Sequence, residues 1–165
     1  MKNGSLQIAT ADDIPAIMAI ERMPGFDAVV GRSTHDQHAE MMAAPSTRYL
    51  VLRDGAGGLL GFTLLQRLGE SDARVHLKRI AVRDPGARIG SSLLKAAIDW
   101  LFTETATNRL DLDVYVDNER ARRAYEKAGF TVEGRLREYH LDPDGSGHDV
   151  WIMSVLRREW QERRG

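Results

Sequence analysis

Cysteine is absent from the 165 residues, and that gap removes disulfide frameworks, thiolate zinc sites and cysteine nucleophiles together. Long apolar runs are also missing. No segment stays apolar for the length a bilayer span requires. Met1 to Gln7 carries one lysine and no apolar core of signal-peptide length. The expectation is a cytoplasmic protein without a membrane partner. An excess of one charge sign is lacking as well: Lys and Arg number 23 against 24 Asp and Glu, a net charge of -1. Bulk electrostatics therefore do not favour nucleic acid. Arg157, Arg158, Arg163 and Arg164 form a basic stretch, but Glu159 and Glu162 interrupt it, and it reads as a solvated helix end or tail. A metal site is not evident. His35 and His38 lie three apart on an expected helix with no obvious third ligand, and read as solvated polar residues.

What is present suits a globular chain: 42% hydrophobic and 28% charged residues, in a length that fits one domain, 1–165. Leu6 to Ala9 reads as a short strand. Thr10 and Asp13 have capping-box spacing ahead of an apolar stripe of Ile14, Ile17 and Met18. Met23 to Gly31 is a break, and His35 to Ala44 a second helix. Strands are expected over 49–53 and 59–66, around a glycine-rich turn, and over 74–82. Ile89 to Phe102 has a clear helical apolar face. Arg109 to Val116 alternates, with Leu110, Leu112, Val114 and Val116 on one side and Asp111, Asp113 and Tyr115 on the other. A helix over 118–128 stops at Gly129, and strands over 130–141 and 149–156 flank a turn at 142–145. The order β-α-α-β-β-β-α-β-α-β-β implies an α/β (α+β) fold, a mixed, mostly antiparallel central sheet flanked by helices. Trp100, Trp151 and Trp160 read as core or interface anchors, and a homodimer is compatible with them.

Two segments carry chemistry. The first, Ile80 to Ser92, runs from strand to helix through Pro85-Gly86-Ala87-Arg88-Ile89-Gly90. Free N–H groups at a helix start, with the positive dipole end, suit a pyrophosphate. An ordinary βα turn has the same composition, and the lysine of a nucleotide phosphate loop is missing. In the strand before it, Val75 and Leu77 are out of phase with Ile80 and Val82. A β-bulge near Lys78-Arg79 explains the slip, as does a strand end buried on both faces. The second segment is Asn118 to Phe130. Asn118 occupies a cap position, and Ala121, Ala124, Tyr125 and Ala128 form a small-residue stripe with one tyrosine. That stripe lets a slender ligand lie along the helix, or is a packing face with Tyr125 as core filler.

Together, in this order and with this topology, the two segments resemble the GCN5-related N-acetyltransferases, over nearly the whole chain and most densely from Leu77 to Phe130. The similarity is greatest to the branch acetylating ribosomal-protein N-termini and small amines. The resemblance implies acetyl-CoA as cosubstrate, no metal, and direct acetyl transfer to a primary amine. Backbone groups at Ile80, Ala81 and Val82 would then hold the pantetheine arm and thioester carbonyl. Gly86, Ala87, Arg88, Ile89, Gly90 and Ser91 would hold the pyrophosphate, and Asn118 would bond the pantetheine. Tyr125 would face the sulfur and protonate the departing thiolate. Asp113 aligns with an acidic base of some relatives, and Glu21, His76, Tyr139 and His140 are rival base or substrate contacts. The family loop usually reads Gln/Arg-x-x-Gly-x-Gly/Ala. Pro85 stands at its first position here and Arg88 at its first glycine, so Arg88 either adds charge toward the phosphates or crowds them with its Cβ. This departure leaves a non-catalytic acyl-CoA-binding or regulatory domain as the alternative. The acceptor is expected to be chosen by Met23 to Ala44 and by the hairpin from Tyr139 to His148.

Overall fold

The computed structural model describes residues 4–26 and 31–165. Part of the expected break (27–30) and the first three residues of the N-terminal stretch lie outside the described residues. Among the described residues seven strands form one sheet in the order β1-β2-β3-β4-β5-β7-β6. They are β1 (Ser5–Ile8), β2 (Thr47–Arg53), β3 (Leu59–Gln66), β4 (Arg74–Val82), β5 (Arg109–Tyr115), β6 (Thr131–Leu141) and β7 (Gly147–Leu156). Only β4 and β5 pair in parallel; every other neighbouring pair is antiparallel. The helices are α1 (Ile14–Glu21), α2 (His35–Ala43), α3 (Ile89–Glu104), α4 (Glu119–Ala128) and α5 (Arg157–Arg164). The sheet and its flanking helices match the fold class expected from the sequence.

Alternation of side chains along the strands feeds two cores, one on each face. Tyr49, Val51, Phe62, Leu64 and Ala81 meet Ile17 and Ile20 of α1, with Met41 of α2 packed against them. Leu65, Val75, Leu77, Leu110, Leu112, Val114, Met153 and Val155 meet Leu94, Ile98, Leu101 and Phe102 of α3 on the opposite face.

The basic C-terminal stretch is a docked helix rather than a solvated tail. The Arg157 guanidinium donates to the carbonyls of Phe102 (2.7 Å), Thr105 (2.7 Å) and Thr107 (2.8 Å), which lie in the last turn of α3 and just beyond it. Helix-end carbonyls lack intrahelical partners, so a cation there meets both their hydrogen-bonding need and the negative dipole end. The Trp160 indole N–H donates to Asp99 (2.7 Å), and Arg163 donates to the Gly129 carbonyl (2.9 Å), fastening α5 to α3 and to the end of α4.

His38 also departs from the solvated reading. It is fully buried, its Nε2 2.9 Å from Glu21 Oε2 and its Nδ1 2.7 Å from the Tyr49 hydroxyl. Glu21, equally buried, accepts from Arg79 at 2.9 Å, so this cluster joins α1, α2, β2 and β4. Burial raises the Tyr49 hydroxyl to about 12.

Candidate active site

The site begins with a fault in strand pairing. The β3–β4 register passes from Leu64 opposite Arg79 to Leu65 opposite Leu77, leaving Lys78 as the extra residue of a bulge. The bulge explains the phase slip in the sequence. Ile80 packs on the core face of Val75 and Leu77, while Ala81 joins the core under α1 and α2. On its other edge, β4 pairs with β5 only as far as His76 opposite Asp111. Both strands continue past that point, to Val82 and Tyr115, without pairing to each other. Ile80, Ala81 and Val82 thus bond to β3 alone and present their remaining backbone groups to the opening.

The loop at the mouth of this opening leads into α3. Arg88 caps the helix with φ 60° and ψ 6°, the left-handed conformation that glycine adopts without strain. The arginine therefore follows the backbone path the expected glycine would take, and its exposed side chain points away from packing. A Cβ built on Gly86 would meet nothing within 4 Å, and one on Gly90 would meet only Val82 Cγ1 at 4.0 Å. The first intrahelical bond at this end runs from Ser92 N–H to the Arg88 carbonyl (3.1 Å), so the amides before it lack intrahelical acceptors. The open cradle and the unpaired amides fit a pyrophosphate. Beyond them an open groove of about 620 Å³ runs between α3, α4 and α5, with Ser91, Lys95, Lys127 and Arg163 on its walls.

Tyr125 lies on α4 and packs against the core beneath α3. Helix α4 ends in a left-handed Gly129 whose N–H bonds the Glu126 carbonyl, while Phe130 N–H bonds the Tyr125 carbonyl at 3.0 Å. This is a Schellman cap, and its hydrophobic contact is the Tyr125–Phe130 ring pair with centroids 5.7 Å apart. The cap fixes the tyrosine ring. No described residue hydrogen-bonds its hydroxyl, and burial, aided by the Asp113 charge, raises it to about 12. At the other end of α4, Asn118 Oδ1 accepts from Ala121 N–H at 3.3 Å, which leaves its amide NH2 and a second lone pair of Oδ1 for a ligand.

On the side of β5 opposite Leu110, Leu112 and Val114, Asp111 and Asp113 form an alternating chain with two histidines. His76 Nδ1 lies 2.7 Å from Asp111 Oδ1, and its Nε2 lies 3.4 Å from Asp113 Oδ1. His140 Nε2 lies 2.6 Å from Asp113 Oδ2. Burial opposes a charged His76, but the hydrogen bonds and charges of Asp111 and Asp113 outweigh it and raise His76 to about 9. Burial likewise opposes the Asp113 carboxylate, and bonding to His76 and His140 outweighs it, holding Asp113 down to about 2. Bonding of this kind favours the ionised form of the carboxylate. Arg74 and Arg109 each approach Asp111 Oδ2 at 3.3 Å, so that carboxylate is compensated too. Glu21 is buried and paired with Arg79 and His38.

The family model for the acetyltransferase (GNAT) family matches residues 15–130. The chain belongs to this family. A Bacillus subtilis protein described as a "Putative ribosomal N-acetyltransferase" is 31% identical over 106 residues, covering 64% of this chain and 57% of that protein. The spermidine N(1)-acetyltransferase of Vibrio cholerae is 28% identical over 118 residues, 70% of this chain and 67% of that protein. A crystal structure of spermidine N-acetyltransferase from Vibrio cholerae with CoA and spermine superposes with a TM-score of 0.85 at 20% identity, covering 98% of this chain and 99% of that one. The GNAT match ends at Phe130, so β6, β7 and α5, which supply His140 and the docked arginines, lie beyond it.

Proposed function

We propose that this protein transfers the acetyl group of acetyl-CoA to the nitrogen of a primary amine, a protein or peptide N-terminus or a small amine, by direct transfer. The observation that carries the reading is the parting of β4 from β5, with amides at the start of α3 that lack intrahelical acceptors and a buried Tyr125 hydroxyl that feels the Asp113 charge. Backbone groups of Ile80, Ala81 and Val82 hold the pantetheine and the thioester carbonyl. Gly86 to Ser91 take the pyrophosphate. Lys95 and Lys127, in the groove beyond, suit the phosphorylated nucleotide end. Asn118 donates its amide to the pantetheine.

Tyr125 acts at the sulfur as a hydrogen-bond donor. Raised to about 12, it is a much weaker acid than an ordinary thiol at roughly 8.5. Complete proton transfer to a thiolate is uphill by about 5 kcal/mol on those values. A neutral phenol aimed at the departing sulfur stabilises developing charge without giving up its proton for good. Asp113 stays ionised and anchors the acceptor side of the site. The protein works in the cytoplasm on this reading. Arg88 keeps a glycine-like backbone, which removes the main argument for a non-catalytic acyl-CoA-binding domain.

The test is calorimetry with acetyl-CoA followed by a panel of peptides and small amines monitored by thiol release. Tyr125→Phe is expected to slow turnover at least about tenfold while leaving acetyl-CoA affinity within about twofold. Unchanged turnover removes Tyr125 from the mechanism. Binding without turnover across the panel supports the non-catalytic alternative.

A further inference from the structure

We infer that His140 takes the proton from the acceptor amine, with Asp113 as its positioning residue; this rests on the acetyl-transfer reading above. The two elements that make this pair do not meet by sequence. Between the pairs Leu136–Val150 and His140–His148, β6 advances four residues while β7 advances two. The excess forms a wide bulge with Glu138 at φ 48°, a left-handed position that a non-glycine residue holds only when its surroundings enforce it. Asp149 enforces it, accepting from Glu138 N–H at 2.8 Å and from Arg135 at 2.9 Å. The bulge turns His140 inward to Asp113.

The geometry dictates the tautomer. Asp113 is ionised and can only accept, so His140 Nε2 carries the hydrogen of the 2.6 Å bond. In the neutral ring Nδ1 then holds a lone pair, and no described residue bonds it. The side chain is 35% exposed, so an amine and water can both reach it. The Asp–His arrangement stabilises the imidazolium that forms when Nδ1 takes a proton, as in the triads of hydrolases. His76, the other histidine on Asp113, is already cationic near neutrality and cannot serve as acceptor. The groups around His140 are Asp113 and Tyr115 of β5, Tyr139 beside it, and His148 of β7, which is itself paired with Asp142.

The protons balance as follows. One proton of the substrate ammonium goes to His140 Nδ1 and from there to solvent. The freed lone pair forms the C–N bond as the C–S bond breaks. The second proton lost by nitrogen accounts for the thiol hydrogen of the product.

The experiment uses the full chain. His140→Gln is expected to lower kcat by about 10²-fold or more, to abolish the acid limb of its pH profile, and to leave acetyl-CoA affinity within about twofold. Asp113→Asn is expected to lower kcat and displace that limb. Long-range proton–nitrogen NMR of the resting wild-type protein, at a pH on the plateau of that profile, should show Nε2 protonated and Nδ1 bare. A kcat for His140→Gln within about threefold of wild type, a retained acid limb, or a proton on Nδ1 overturns the assignment. Absence of turnover in the wild-type chain instead defeats the acetyl-transfer reading, and is distinguishable because in that case the variants have nothing to lose.

Discussion

Removing His76 makes the cost of the buried charge chain measurable without any substrate. The ring is 21% exposed and sits between two carboxylates, with a pKa raised from 6.5 to about 9. A group whose folded pKa is raised stabilises the folded state fully below its unfolded pKa and loses that contribution as pH climbs through the folded pKa. The window is therefore pH 6.5 to about 9. At 1.36 kcal/mol per pH unit the full linkage amounts to about 3 kcal/mol, of which about 2 kcal/mol disappears between pH 6 and pH 8. His76→Gln can still donate to a carboxylate but cannot titrate. Urea unfolding of wild type and variant at pH 6, 7, 8 and 9 isolates the term, because titrations of groups away from Asp111 and Asp113 cancel in the difference. The wild type should be more stable by about 2–3 kcal/mol at pH 6, and the gap should close steadily toward pH 9. A difference independent of pH refutes a charged His76 between Asp111 and Asp113. A gap that widens with pH refutes the sign.

Two further perturbations probe the frame around the site. Arg88→Gly removes a left-handed non-glycine cap worth about 1–2 kcal/mol of strain, offset by about 0.4–1 kcal/mol of added unfolded-state freedom. Thermal melts should show a variant equal to wild type or up to about 1 kcal/mol more stable, and a clear loss of stability contradicts the cap geometry. Arg157→Met removes the guanidinium, whose carbon stands 5.4 Å from the Phe102 ring centroid, and leaves the carbonyls of Phe102, Thr105 and Thr107 without their donor. Denaturant unfolding should register a loss of about 3 kcal/mol, and a loss under about 1 kcal/mol shows that α5 is not needed to close α3.

Much of the fold is legible in the pattern of side chains because local rules decide it. The face of α3, the alternation of β5 and the glycine stop of α4 follow from helix and strand periods and from one positive-φ residue. The phase slip near Lys78 is legible too, but a strand end buried on both faces would leave the same pattern, and only the β3–β4 register makes it a bulge. The C-terminal arginines are not. Their charge pattern is that of an exposed helix, and only the approach of α5 to the end of α3 turns Arg157 into a cap. His38 illustrates the same difficulty: a polar residue on a short helix reads as solvated until a buried carboxylate and hydroxyl appear beside it.

By itself the sequence determined the element order, the glycine-containing loop before α3 and the tyrosine helix, and with them the family. Those features rest on near neighbours in the chain, whose spacing and backbone preferences act over one or two turns. Tertiary structure alone decided how the carboxylates on β5 are used. Asp111 and Asp113 show only that they share a face. Their partners come from β4 and from a bulged β6, far away in sequence. Those contacts keep Asp113 ionised and hand it His140, because a proton affinity depends on what surrounds a group in space rather than along the chain.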